Sequence, residues 1–174
     1  SLATPAPTSV AVLPGSSSPP TPAAAPPLYE KFLHRVTPIV LPTPSAQDPV
    51  RIVIEAIDVD APIVQGDGWE ELKEGVGHHL NSAKPGLRGN MVLSAHDDVF
   101  GEIFRDLNKL EPGDRVLVYT VDDHFEYVVR DKQIVEPTEV NVMESTQEPT
   151  ATLITCHPYG IDSHRLIVFA ELVP

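Results

Sequence analysis

The stretch Ala151-Thr-Leu-Ile-Thr-Cys-His-Pro-Tyr-Gly-Ile-Asp-Ser-His-Arg-Leu-Ile-Val-Phe-Ala-Glu-Leu172 reads as two strands and the loop that joins them. Residues 151–156 and 166–172 are rich in β-branched and aliphatic side chains, and His157 to Ser163 between them holds Pro, Gly, Asp and Ser. If the two strands pair antiparallel, Cys156 at the end of one and Arg165 at the start of the other stand side by side at one rim.

Further strands are expected upstream. Arg51 to Ile57 is apolar and β-branched, Val59 to Val64 follows an Asp-bearing corner, and Asn90 to Ala95 runs directly into His96. Glu111-Pro-Gly-Asp114 is a turn, after which Arg115 to Val121 and Phe125 to Val135 read as strands paired across Asp122-Asp123. Trp69 to Glu74, closed by Gly75, and Gly101 to Leu107, with Ile103, Phe104 and Leu107 at helical spacing, predict short helices. Many short strands with minor helices indicate a mostly β protein built as a closed or nearly closed barrel.

The strands are confined to one part of the chain. The segment from Ser1 to Pro27 carries Pro-Ala-Pro, Ser-Ser-Ser-Pro-Pro and Ala-Ala-Ala-Pro-Pro clusters, a composition that favours an extended, solvated stalk. Leu28 to Pro44 holds Tyr29, Phe32, Leu33, Val36, Ile39, Val40 and Leu41, apolar content that predicts a short helix docked on the domain. The expected division is residues 1–45 as stalk or linker, part of it docked, and 46–174 as the catalytic domain, a length that supports one hydrophobic core.

Charge removes one class of function. The 174 residues carry a formal charge of −13 and a pI near 4.7, with no basic stripe, so a phosphate backbone is repelled and nucleic-acid binding is not expected. One cysteine excludes an internal disulfide and leaves an inert thiol, a metal ligand or a nucleophile. No apolar run approaches the roughly 20 residues of a membrane span. Ser1-Leu-Ala-Thr4 opens straight into low complexity, and an anchor or export signal ahead of it is the expectation.

Cys156, His96 and Arg165 supply three complementary chemistries. A thiol becomes a good nucleophile when a nearby cation favours its thiolate. A fixed guanidinium holds the oxyanion that forms when an amide carbonyl is attacked, and an imidazolium protonates the leaving amine. Taken alone, Cys156 reads as a small buried hydrophobe, His96 as an ordinary histidine and Arg165 as a strand-end charge. Together they form a set. The order His before Cys is the reverse of a papain-like protease.

These residues sit in segments that resemble the sortases, bacterial membrane-anchored cysteine transpeptidases. The matching pieces are Arg51-Ile-Val-Ile-Glu-Ala-Ile-Asp-Val-Asp-Ala-Pro-Ile63, Gly75-Val-Gly-His78, Gly89-Asn-Met-Val-Leu-Ser-Ala-His96, Leu110-Glu-Pro-Gly-Asp114, Thr152-Leu-Ile-Thr-Cys156 and His164-Arg-Leu-Ile-Val168, in family order. The resemblance implies an eight-stranded sortase barrel with Cys156, His96 and Arg165 at the catalytic positions, and Ala95, Thr155, Tyr159 and His78 as candidate substrate-binding residues. It implies cleavage of a Leu-Pro-x-Thr-Gly-like C-terminal sorting signal between Thr and Gly, a thioacyl intermediate, and transfer to an amine, either a cell-wall precursor or a pilin lysine, with water as the fallback acceptor. The pattern is similar to class D, with class E or another minor class as the alternative. The implied partners are surface or pilin proteins carrying the signal. The implied setting is extracytoplasmic, anchored in the bacterial membrane and facing the cell wall.

Two features depart from the family pattern: Ala95 stands where glycine is common before the histidine, and the pair Asp97-Asp98 follows it where a basic residue is common. No cofactor and no metal are expected. Cys156 and His157 would point to opposite faces of a continuing strand, and Asp97, Asp98 and Glu102 lack regular calcium-ligand spacing. His78 and His79 read as loop and wall features near the groove; Trp69 and Tyr159 either line the groove or pack in the core. Leu41-Pro-Thr-Pro-Ser45 resembles the start of a sorting signal, so it is a candidate to lie in the groove and restrain the enzyme, set against a plain Pro-rich linker. The alternative from another class is a catalytically silent extracellular β-domain acting as an interaction module.

Overall fold

The computed structural model describes residues 45–174. The Pro-rich stretch, the helix expected within 28–44 and the Leu41 to Pro44 segment lie outside the described residues. The strands are β1 (Arg51–Ile54), β2 (Val59–Gln65), β3 (Val76–His78), β4 (Gly89–Ser94), β5 (Arg115–Tyr119), β6 (His124–Val135), β7 (Pro149–His157) and β8 (His164–Leu172). They close into a barrel in the order β1-β2-β3-β4-β7-β8-β6-β5, sealed where β1 pairs antiparallel with β5. Closure leaves every strand with two partners and no free edge.

Alternation sorts the side chains. Met91 and Leu93 of β4, Ala151 and Leu153 of β7 and Leu166, Val168 and Ala170 of β8 point inward and join Ile52, Ile54, Val116, Val118 and Tyr127 in the core. Tyr127 is fully buried and satisfies its hydroxyl by accepting the Gly86 N–H at 2.9 Å. Residues of opposite parity on β4, β7 and β8 face the outside of the barrel, and Cys156 is one of them.

Several sequence expectations shift at element ends. The strand expected over 51–57 stops at Ile54, where Glu55–Ile57 forms a 3-10 turn and Asp58 adopts a left-handed conformation (φ 54°) that aspartate tolerates. Strand β3, not expected from the sequence, runs parallel to β2 and antiparallel to β4. Three residues with glycine at the centre carry too little pattern to be read.

The helix expected over 69–74 contracts to α1 (Glu71–Glu74). Gly75 does not cap it in left-handed geometry, since its φ of 167° is extended. Glycine is needed there because a Cβ would sit 2.5 Å from the Pro62 carbonyl oxygen. Gly75→Ala is therefore expected to cost about 1–3 kcal/mol, since β2 or β3 must shift to admit one methyl group. An unchanged urea midpoint would remove this account.

The helix expected over Gly101 to Leu107 is absent. Phe100, Gly101 and Glu102 all have positive φ (50°, 88° and 51°), incompatible with a right-handed helix, and the chain makes a series of turns before a 3-10 segment at Leu107–Lys109. The periodicity recorded burial rather than helix: Phe104 and Leu107 are fully buried, and the Phe104 N–H returns to the His96 carbonyl at 3.0 Å.

Candidate active site

Strands β7 and β8 pair antiparallel over their whole length, and Cys156 lies directly opposite Arg165. Opposed residues in such a pair have Cβ atoms about 4.5–5.5 Å apart, so sulfur and guanidinium stem share one spot on the outer face. On the other side of β7, β4 runs parallel, with Ser94 opposite Ile154. The ladder continues one step: the Ala95 N–H donates to the Ile154 carbonyl at 3.2 Å, and the Thr155 hydroxyl donates to the Ala95 carbonyl at 2.8 Å. His96 thus leaves β4 in the row that holds Cys156. Three residues far apart in sequence are delivered by three adjacent strands to one rim.

The His96 imidazole is set in an aromatic collar. Trp69, from the loop before α1, meets it edge-on with ring centroids 5.3 Å apart, and Phe100 lies at 5.6 Å. Trp69 and Phe100 also meet each other at 5.3 Å, with the Lys73 ammonium 5.8 Å from both rings. The collar fixes the ring by packing, while Nε2 is buried with no hydrogen-bond partner. Trp69 is 58% exposed, which puts it at the rim rather than in the core.

The field around the thiol is mixed. Burial pushes the Cys156 thiol up, Arg165 pulls it down, and Asp162, Asp97 and Asp98 push it up again. Arg165 does not aim at these carboxylates; its Nη1 donates to the carbonyls of Asp162 (3.2 Å) and His164 (2.9 Å), bracing the β7–β8 loop. Asp97 is only 3% exposed, and its carboxyl is pushed up chiefly by burial. Tyr159 ties the two loops of the rim together: its hydroxyl donates to Glu102 at 2.9 Å, and Arg105 covers its ring at 4.9 Å while pairing with Glu102.

The other candidate residues take varied positions. Ala95 and Thr155 are buried and hydrogen-bonded to each other, holding β4 to β7 beneath the rim. Tyr159 is half exposed on the loop beside Cys156. His78 is buried in β3; Nδ1 meets Gln65 Oε1 at 2.8 Å and Nε2 meets the Ala83 carbonyl at 3.0 Å, so both ring nitrogens are committed to the fold. His79 instead pairs with Asp67 at 2.7 Å. Phe100 and Asp162 escaped the sequence reading. Phe100 has only the weak signal of an exposed aromatic beside a glycine, and Asp162 joins the site through a loop path that no spacing reports.

Burial sets a pH dependence at His78, whose pKa is lowered below the usual value of about 6.5. The unfolded chain then binds the proton more readily than the folded one. The stabilisation is complete above about pH 6.5 and is lost as pH falls from there toward the lower folded value. The loss approaches about 1.4 kcal/mol per pH unit in that window. Urea unfolding at pH 7.5 and 5.5 should show a smaller acid loss for His78→Gln than for the unaltered chain; equal losses would assign the acid sensitivity elsewhere.

A family model described as the Sortase domain matches residues 52–173. The chain belongs to the sortase family. Among curated proteins it is 32% identical over 136 residues to sortase SrtE1 of Streptomyces coelicolor, an alignment covering 69% of this chain and 39% of that protein. It is 30% identical over 124 residues to sortase D of Bacillus subtilis, covering 69% and 61% respectively. The chain thus matches about 40 to 60% of the length of these relatives. Among solved structures, sortase C-1 from Actinomyces oris superposes with a TM-score of 0.68 at 36% identity, covering 86% of this chain and 84% of that one. A Clostridium perfringens sortase D5 transpeptidase gives 0.68 at 31%, covering 73% and 79%. The closed eight-stranded barrel is that of the sortase fold.

Proposed function

We propose that this sortase is a cysteine transpeptidase that cleaves a Leu-Pro-x-Thr-Gly-like sorting signal at Thr-Gly through a thioacyl intermediate and passes the acyl group to an amine. The observation that carries the reading is the pairing of Cys156 with Arg165 across β7 and β8, with His96 entering the same row from β4. In this reading the Cys156 thiol gives its proton to His96 as its sulfur attacks the threonine carbonyl carbon, and the oxygen takes the negative charge. Arg165 stabilises that oxyanion from the neighbouring strand. His96, shielded by Trp69 and Phe100, protonates the departing glycine nitrogen, and the C–N bond breaks. The incoming amine attacks the thioester, its proton passes by way of His96 to the departing sulfur, and the thiol is released; water is the poorer acceptor.

The partners in this reading are surface or pilin proteins bearing the signal, met outside the cytoplasm by an enzyme anchored in the membrane and facing the wall. The relatives named D and E support one of those classes. Cleavage profiling of a peptide library, with and without added amine, tests the whole reading. Products joined to the amine are expected; hydrolysis alone would make the chain a peptidase. Absence of cleavage, with Cys156 inert to a thiol reagent in the folded protein, would leave a silent β-barrel.

Arg165 can be tested separately. Arg165→Ala is expected to lower kcat by about 10²–10³ with little change in KM, because the oxyanion exists only along the reaction path. Lysine should recover only part of the loss, since it keeps the charge without the planar fork. A loss confined to KM would make Arg165 a substrate-binding residue instead.

A further inference from the structure

We propose that Asp97, Cys156 and Asp162 form a site for a thiophilic divalent cation of the zinc class, whose occupation masks the Cys156 sulfur. The masking rests on the nucleophile reading above, whereas the binding does not. One ligand atom from each residue, two carboxylate oxygens and the sulfur, lies within 4.8 Å of the others. Zinc bonds of roughly 2.0–2.3 Å place tetrahedral ligands about 3.5 Å apart, so the set must close by about 1 Å. Asp162 supplies that movement, because it sits exposed on the β7–β8 loop while Asp97 is buried in the bend after β4 and Cys156 is held within β7.

The residue that points most directly to a ligand is Asp97. Its carboxylate is almost wholly buried, and Oδ1 is sealed from solvent without a hydrogen-bond partner. Desolvating a carboxylate oxygen without a partner is costly. Among the described residues no ion pair includes Asp97 or Asp162. The adjacent cation, Arg165, spends its Nη1 on backbone carbonyls. A dication together with that guanidinium balances the thiolate and the two carboxylates.

The donor set selects the metal. Calcium and magnesium require oxygen donors throughout and gain nothing from a thiolate, whereas Zn²⁺ and Cd²⁺ accept mixed sulfur and carboxylate ligands. Binding replaces the thiol proton, which passes to solvent, and involves no oxidation. Three protein ligands leave a fourth position for water, and a chelator restores the free thiol.

The test is metal binding to the full chain, read without any peptide substrate. Cd²⁺ should produce a thiolate-to-metal charge-transfer band, and Zn²⁺ should slow alkylation of Cys156 by iodoacetamide at least tenfold, reversed by EDTA. Mg²⁺ and Ca²⁺ should do neither. Asp97→Asn and Asp162→Asn should each weaken the zinc protection by about tenfold or more, measured as the ratio of rates with and without metal in each variant. Asp162 is exposed and its left-handed backbone (φ 60°) suits asparagine, so that variant keeps the fold even if the Asp97 variant does not. Protection unchanged in the Asp162 variant would mean that the thiol alone binds metal and would overturn the site; so would absence of protection by Zn²⁺. Failure of peptide cleavage would leave these readouts untouched.

Discussion

Cys156→Ala is expected to abolish peptide cleavage and amine transfer, lowering turnover by at least about 10³-fold, with the fold intact. No other thiol can carry the acyl group, because the sequence has a single cysteine. The stability expectation follows from position. Cys156 lies outside the hydrophobic core, on the outer face at the rim, so loss of its sulfur leaves no sealed cavity. A variant with an unchanged urea midpoint and no acyl-enzyme in mass spectra is the expected result. Retained cleavage would end the nucleophile assignment outright.

His96→Ala is expected to lower kcat by about 10²–10⁴ for an amide substrate, the usual range for a positioned proton donor. The size of the defect should depend on the leaving group. A glycine amine must be protonated as the C–N bond breaks, whereas a phenolate leaves without a proton. Aryl esters of the same acyl sequence should therefore show a much smaller defect, and a defect equal for both substrates would make His96 a packing residue. The aromatic collar makes this discrimination sharp, because Trp69 and Phe100 hold the ring by contact rather than by hydrogen bonds.

The β7–β8 hairpin was legible because a long β-branched run, a Pro/Gly-bearing loop and a second run leave few other arrangements, and the observed register opposes the residues that the reading placed side by side. The segment after His96 misled for a definite reason. Spacing of i, i+3 and i+4 marks which side chains are buried, and a chain of turns with three positive-φ residues buries the same side chains as a helix. His78 shows another limit. A histidine next to a groove motif looks available, yet Gln65 and Ala83, from separate segments, take both of its nitrogens.

Local sequence determined every strand but β3, the one thiol, the acidic surface and the set of chemistries on offer, because those follow from side-chain type and period-two alternation. Tertiary closure decided the rest. Only a barrel in which β4 and β8 flank β7 brings His96 and Arg165 to opposite sides of Cys156, and only the path of the β7–β8 loop returns Asp162 toward Asp97. Such proximities depend on strand order and loop trajectory, which are set by how the whole chain buries its apolar faces and have no signature in the spacing of the residues themselves.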